Sequence, residues 1–195
     1  MQNSKITQMA LEIEKKYRID KKILVELTAR LAELGAVFAY EAFEQNYLHQ
    51  GGDLAERNAF LRLRKTDAGN TLTYKEKVNA DGEFKSQIEF ETDVSNVEAT
   101  EQIIERLGYE LAIVYEKRRK AWRLGKVEVV LDELPFGFYM EIEGSKRDIR
   151  KIEKLLGADV LESEARGYPR LTLKFGRADR HGVVQSRFRK KSSTN

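Results

Sequence analysis

The chain contains no cysteine, which removes a disulfide framework, a thiolate zinc site and a cysteine nucleophile at once. Its two histidines, His49 and His181, are too few for a histidine-rich metal cage. No run approaches the ~20 apolar residues of a membrane-spanning helix, and the polar start Met1-Gln2-Asn3-Ser4-Lys5 lacks the apolar stretch of a signal peptide. These absences predict a soluble, cytoplasmic protein with no membrane partner. The glycine pair Gly51-Gly52 is not followed by the Gly-Lys-Ser/Thr of a phosphate loop, and His49 just before it reads as a surface residue in a turn rather than a catalytic base.

What is present is charge. The 195 residues suit a single core. Hydrophobic residues make up 41% and charged residues 34%, the latter well above the usual quarter or so. The net charge of +3 is unevenly spread: from Arg166 onward nine basic residues stand against the single acid Asp179, a local +8, so the first 165 residues carry −5. The last stretch has little apolar periodicity, which predicts one domain over residues 1–175 and a basic, solvated, disordered tail over 176–195. Nucleic acid is disfavoured as a partner of that tail against the plainer reading of a solvated end.

Read at period two, the body yields strands with one apolar face and one charged face. Leu11 to Tyr17 puts Glu12, Glu14 and Lys16 on one side and Leu11, Ile13 and Tyr17 on the other. The same alternation pairs Arg62 with Arg64, Lys75 with Lys77, Glu89 with Glu91, Lys117 with Arg119, Glu128 with Asp132, and Glu141 with Glu143. A wet hairpin face would look similar. Segregation by strand into carboxylate pairs and basic pairs argues for more, because like charges on one strand repel and exposed ion pairs contribute only ~0–1 kcal/mol. Clustered carboxylates suit Mg²⁺ or Mn²⁺, and clustered Lys and Arg suit phosphate oxygens. Together they describe a site for a metal complex of a polyphosphate.

The pattern apolar-Glu-apolar-Glu, a helical stretch, then Leu-Gly occurs three times. Glu12-Ile13-Glu14 precedes Ile23 to Leu34 and Gly35, Glu89-Phe90-Glu91 precedes Val97 to Leu107 and Gly108, and Glu141-Ile142-Glu143 precedes Ile149 to Leu156 and Gly157. Each helical piece has apolar residues at helix spacing and ends at a glycine suited to a left-handed cap. If the charged faces point into a closed sheet, the apolar faces point outward and need the helices as cover. Such an interior is stable only if its charges are paired, hydrated or liganded. Trp122, Phe136, Phe138 and Tyr139 read as outer-face packing or loop anchors.

In sequence order, Glu12-Ile13-Glu14-Lys15-Lys16, Leu61-Arg62-Leu63-Arg64, Leu72-Thr73-Tyr74-Lys75, Glu89-Phe90-Glu91, Glu116-Lys117-Arg118-Arg119, Asp132 and Glu141-Ile142-Glu143 resemble the motifs of the CYTH, or triphosphate tunnel metalloenzyme, family, named for class IV adenylate cyclase and thiamine triphosphatase. The resemblance covers roughly Leu11 to Lys174. It implies an α+β fold, a closed eight-stranded antiparallel β-barrel or tunnel with a charged interior and helices packed outside, binding a triphosphate-containing small molecule with Mg²⁺ or Mn²⁺. By resemblance Glu12, Glu14, Glu141 and Glu143 hold metal, with Glu89, Glu91 and Asp132 as further ligands or water-holders. Lys16, Arg62, Arg64, Lys75, Lys117 and Arg119 grip phosphate oxygens, and Lys77 joins them by sharing the Lys75 face. Two departures stand out. Gln87 occupies a place where relatives often carry Arg, which leaves that contact to Lys85 or vacant, and the late basic residue is one of Arg166, Arg170 and Lys174.

The reading that follows is a metal-dependent triphosphate hydrolase in which Glu14 or Glu91 orients or deprotonates water and Lys75 stabilises the departing oxygens. A cyclase making cyclic AMP and pyrophosphate from ATP is the alternative. A noncatalytic polyphosphate-binding module is a third reading, disfavoured because all three Glu-x-Glu pairs are intact. A homodimer stays open.

Overall fold

A computed structural model of the chain describes residues 10–81 and 84–189. Eight strands form the body: β1 (Ala10–Ile19), β2 (Val37–Gln50), β3 (Ala59–Thr66), β4 (Gly69–Asp81), β5 (Phe84–Asp93), β6 (Glu110–Leu124), β7 (Val127–Leu134) and β8 (Gly137–Glu143). Their order is β2-β3-β4-β5-β1-β8-β7-β6, and β6 pairs back onto β2, so the sheet closes. Every pairing round the ring is antiparallel. The expected eight-stranded barrel is what the chain forms.

Three helices follow the repeat. α1 (Lys21–Glu33), α2 (Val97–Arg106) and α3 (Lys146–Leu156) come directly after β1, β5 and β8. Each starts at a side-chain cap that takes an amide the first turn leaves unpaired: Asp20 accepts from Ile23 N, Asn96 from Ala99 N and Ser145 from Asp148 N. Each is followed by a glycine at positive φ, +71° at Gly35, +86° at Gly108 and +66° at Gly157, where an L-residue would be strained. Among the described residues no helix is long and apolar enough to cross a membrane.

Strand parity then places the core. The larger apolar cluster combines Leu27 and Leu31 of α1 and Ile149, Ile152 and Leu156 of α3 with Tyr17, Val129, Leu131, Met140 and Ile142 from β1, β7 and β8. These strand residues alternate with the charged ones, so the core lies between the barrel wall and the helices, outside the ring. Trp122 belongs to this cluster and Phe138 packs against it, as expected.

The interior changes character along its axis. A second cluster gathers Leu48, Ile113, Tyr115, Leu134 and Tyr139, whose parity matches that of Asn46, Lys117, Asp132 and Glu141. With them pack Tyr168 and Leu171 of α4 (Tyr168–Phe175) and, partly buried, Phe136. Tyr139, expected on the outer face, is therefore inside and fully buried; it shares the inward parity of Glu141. One end of the barrel is apolar and plugged, and the other is charged.

Two expectations are corrected here. His49 does not sit in a surface turn: it belongs to β2 and is 2% exposed, because the strand runs on to Gln50. The segment expected as a solvated, disordered tail from residue 176 carries β9 (Arg177–Ala178) and β10 (Val184–Ser186). β7 pairs only with Arg118–Leu124 of β6, which leaves the earlier part of that edge open, and an open edge is a template for another strand. β10 takes it, pairing in parallel with Ile113–Tyr115. Its basic end is compensated by Glu116, which accepts from Phe188 N at 2.8 Å and from Arg187 Nη1 at 3.3 Å. The final residues 190–195 lie outside the described residues.

An external core makes a direct prediction. Ile142→Ala, on the outer side of the barrel wall, should cost about 2–5 kcal/mol in denaturant unfolding, the range for truncating a buried branched side chain. Val160→Ala, at a residue 84% exposed, should stay within about 0.5 kcal/mol. Comparable small losses from both would contradict this placement of the core.

A charged cavity as the candidate active site

The charged end of the barrel encloses a cavity of about 180 Å³. Its walls carry Glu12, Glu14 and Lys16 from β1, Arg62 and Arg64 from β3, Lys75 from β4, Glu89 and Glu91 from β5, Lys117 and Arg119 from β6, and Glu141 and Glu143 from β8. Most of the residues expected to act together by strand parity thus face one space. The opposite parity points away: Arg118 is half exposed and pairs with Glu133, and Lys120 pairs with Glu41 at the surface.

Inside, charges of opposite sign interleave, as burial demands. Lys75 Nζ lies 2.7 Å from both Glu12 Oε2 and Glu89 Oε2. Lys16 Nζ lies 3.0 Å from Glu141 Oε1. Arg62 donates to the Thr73 hydroxyl at 3.1 Å and stands 3.5 Å from Glu89 and Glu91, while Thr73 donates to Glu91 Oε2 at 2.7 Å. Glu44, 2% exposed, receives Arg64 at 3.2 Å and Lys117 at 3.4 Å. Burial would raise the Glu44 carboxyl, but Lys117, Arg64 and Arg119 outweigh it and hold it at about 2. The same contest leaves Glu12 at about 2 beside Lys75, and keeps Glu141 well below the usual carboxylate range beside Lys16 and Arg119. Among the cations, burial lowers Lys85 and Lys117, the latter with help from the Arg119 charge.

One corner breaks the pattern. Glu12, Glu14 and Glu143 each offer a carboxylate oxygen, and these atoms lie within 4.8 Å of one another. Glu14 and Glu143 are direct cross-strand partners, an arrangement that like charges disfavour. Burial and the Glu12 carboxylate push Glu143 up from 4.5 to about 8. Lys85 reaches Glu14 at 3.0 Å and Lys75 reaches Glu12, yet the trio as a group remains crowded with negative charge. An oxygen-only donor set of this kind fits a hard divalent cation.

Several expected residues have other places. Lys77 is exposed and is not part of the cavity lining, because pairing with β3 ends at Glu76 and β4 runs on past that edge of the ring. Asp132 points inward but is fully buried and does not line the cavity: both its oxygens are taken, by Arg119 Nε at 2.8 Å and Nη2 at 2.6 Å, and by the Tyr168 hydroxyl at 2.7 Å. Its partners are Arg119, Tyr168 and, at 3.5 Å, Lys117. Glu141 lines the cavity but is committed to Lys16 and Arg119, and Glu89 to Lys75. None of the three late basic candidates lines the cavity. Arg166 pairs with Glu164 and lends its carbonyl to Lys16 at 3.3 Å, while Arg170 and Lys174 are exposed. Lys85 lines it instead.

Sequence reasoning missed Glu44, Tyr40, Tyr115 and Tyr168. Glu44 was within reach, since Tyr40, Ala42, Glu44, Asn46 and Leu48 share one face of β2, but the opposite face lacks the apolar run that marked the other strands. Tyr168 had no such signal, because it comes from a helix that only tertiary packing brings under the cavity.

Residues 10–172 match the CYTH domain family. A curated protein of Methanocaldococcus jannaschii, MJ0240, whose name proposes an adenylate cyclase, is 29% identical over 149 residues, 75% of this chain and 83% of its own length. Among solved structures, the PH1012 protein from Pyrococcus horikoshii superposes with a TM-score of 0.70 at 24% identity, covering 82% of this chain and 98% of that one. HpAC1 from Hippeastrum, named for adenylyl cyclase and described as having a dominant triphosphatase activity, superposes with a TM-score of 0.62 at 16% identity over 81% of this chain and 91% of its own.

The crowded trio carries a pH prediction. Glu143 titrates near 4.5 in an unfolded chain and at about 8 when folded, so the folded state holds the proton more tightly. The stability this group contributes is complete below its unfolded value and is lost as pH rises toward 8. In chelator, thermal stability should therefore fall more steeply between about pH 5 and pH 9 than in Glu143→Gln. Added Mg²⁺ or Mn²⁺ should stabilise the native chain more at the alkaline end. Parallel pH profiles for the two proteins would refute the crowding.

Proposed function

Since the chain belongs to the CYTH domain family, with 10–172 of its 195 residues matched, we propose that it is a divalent-metal-dependent hydrolase of triphosphates. The observation that carries this reading is the combination of a small cavity with a dense ring of cations. At about 180 Å³ it falls below the ~300–1,000 Å³ of pockets that engulf drug-sized ligands. Lys16, Arg62, Arg64, Lys75, Lys85, Lys117 and Arg119 all face it. Such a space suits a short polyanion and leaves a nucleoside to lie at the mouth.

Glu12, Glu14 and Glu143 would hold the cation, and Mg²⁺ or Mn²⁺ suits their oxygens. When bound, the cation would neutralise charge on the phosphate chain and make its phosphorus more electrophilic. The chain's own residues do the positioning. Arg62, Arg64 and Arg119 present planar donors to phosphate oxygens, and Lys16, Lys75 and Lys117 add point charges, all already oriented by buried carboxylates, so little reorganisation is needed. Of the two carboxylates expected to act on water, Glu91 is the better placed. Glu14 is committed to the cation trio and Lys85, whereas Glu91 lies at the more open end, its side chain 38% exposed, and is held by Thr73 and Arg62. Lys75, between Glu12 and Glu89, stabilises the departing oxygen. Transfer of this kind is mostly geometry and electrostatics.

A second reading, an adenylate cyclase, is favoured by the name of the M. jannaschii relative and by two rings, Tyr40 and Phe60, in the cavity lining that a base could stack on. Both reactions would use the same phosphate grip and the same cation.

The deciding experiment is a substrate panel with the full chain. With Mg²⁺ or Mn²⁺, inorganic triphosphate should be cleaved with kcat/KM at least equal to that for ATP, releasing orthophosphate, and chelation should abolish turnover. Cyclic AMP and pyrophosphate as main products from ATP, with inorganic triphosphate inert, would put the cyclase first. A second test probes the inward face. Arg62→Ala and Lys75→Ala should each weaken triphosphate binding by about 1.5–3 kcal/mol, the scale of charge-assisted hydrogen bonds, while Lys120→Ala, of the opposite parity and paired at the surface, should leave it unchanged. Equal effects would mean that the strand register is wrong.

A further inference from the structure

The family match ends at residue 172, yet the chain continues through the end of α4 into β9 and β10, and this stretch is built into the fold. We propose that the C-terminal strap, residues 176–188, positions the phosphate-gripping cations through Tyr168, a positioning residue at the start of α4. The proposal takes its ligand from the triphosphate reading, but its geometry stands independently of it.

Tyr168, whose carbonyl accepts from the Thr172 hydroxyl one turn on at 2.8 Å, is where the helix that the strap continues meets the cavity. Its hydroxyl donates to Asp132 Oδ2 at 2.7 Å, and the same carboxylate accepts two hydrogen bonds from Arg119. Its ring lies 4.0 Å from Lys16 Nζ and 5.3 Å from Lys117 Nζ, distances at which the ring face attracts a cation. One side chain thus fixes three of the cations that face the cavity, one through Asp132 and two through its ring.

α4 cannot hold Tyr168 by itself. It has eight residues, no side-chain cap and no acid in its first turn, and a helix so short is marginal alone. The strap supplies the missing restraint. A Cβ at Gly176 would lie 2.6 Å from Thr172 O and 2.7 Å from Gln185 O, so the returning chain meets the end of the helix at a distance only glycine allows. β10 then pairs with Ile113–Tyr115 of β6, the strand that also carries Lys117 and Arg119. Beyond it Phe188 donates its amide to Glu116 at 2.8 Å and lies 4.0 Å beneath the Arg118 guanidinium. Asp179 closes the intervening hairpin by accepting from His181 N, Val183 N and Gln185 Nε2. The end of α4 is therefore locked to the strand whose inner face presents the cations.

Two measurements on the full chain test this. Calorimetric titration with inorganic triphosphate at fixed Mg²⁺ should show Kd rising about tenfold in Tyr168→Phe, the scale of one hydrogen bond to a charged group. A rise at least as large is expected in Gly176→Ala, which moves hydroxyl and ring together, and the double variant should bind no more weakly than Gly176→Ala alone, because both act through one side chain. Lys174→Ala, on the exposed side of α4, should bind like the native chain. In parallel, the Arg119 Nε–H resonance, assigned with Arg119→Lys, should lose protection from solvent exchange in Tyr168→Phe and Gly176→Ala. Should Gly176→Ala not fold, Phe188→Ala loosens the strap from outside the barrel and should give the same two results. Unchanged Kd in well-folded variants, effects that multiply in the double variant, or an unchanged Arg119 signal would each overturn the proposal. If the native chain binds no triphosphate, the triphosphate reading falls, and the Arg119 exchange measurement still decides the strap.

Discussion

Everything in this molecule follows from the need to neutralise charge buried inside a closed sheet. An ion removed from water loses several kcal/mol even after relaxation, and only close partners with good hydrogen bonds restore it. The barrel meets that demand by facing carboxylates with cations across neighbouring strands: Lys75 between Glu12 and Glu89, Lys16 against Glu141, and Arg119 in the fork of Asp132. Because each cation is fixed by an anion behind or beside it, the site is organised before any ligand arrives. Among the described residues, the corner at Glu12, Glu14 and Glu143 lacks full compensation and for that reason fits a divalent cation.

A charged interior also moves the core. Strand alternation allows only one face to be polar, so the apolar residues of β1, β7 and β8 point outward and require α1 and α3 as cover. The helices are therefore not decoration on a barrel but half of its hydrophobic layer. The threefold recurrence of strand, helix and left-handed glycine follows from the same requirement, since each covering helix must start at the rim and return the chain to the ring.

Polarity along the axis gives the cavity a direction. At the closed end Leu48, Ile113, Leu134 and Tyr139 replace charge with apolar packing, and Tyr168 and Leu171 of α4 complete the plug. This end closes the charged cavity from behind and strengthens each interaction inside it. Tyr168 joins the two regimes, since its ring belongs to the plug and its hydroxyl to the charged network.

Much of this was legible in the amino-acid order, because period-two alternation is a local property: it placed Arg62 with Arg64 and Lys117 with Arg119 on the inside, and Arg118 on the outside. Helix spacing and terminal glycines, also local, marked the three helices that follow β1, β5 and β8. Other features depended on pairing between distant segments. Parity says which way Asp132 points but not that Arg119 and Tyr168 take both its oxygens, and it cannot say that Lys77 lies past the point where its strand leaves the barrel. The tail carried a basic composition that reads as solvated, yet β6 has an open edge only because β7 is short, and that vacancy exists only once the ring has closed. Sequence alone determined which residues share a face; tertiary structure decided which of those faces meet, because charge compensation and edge pairing act between strands that the chain order keeps far apart.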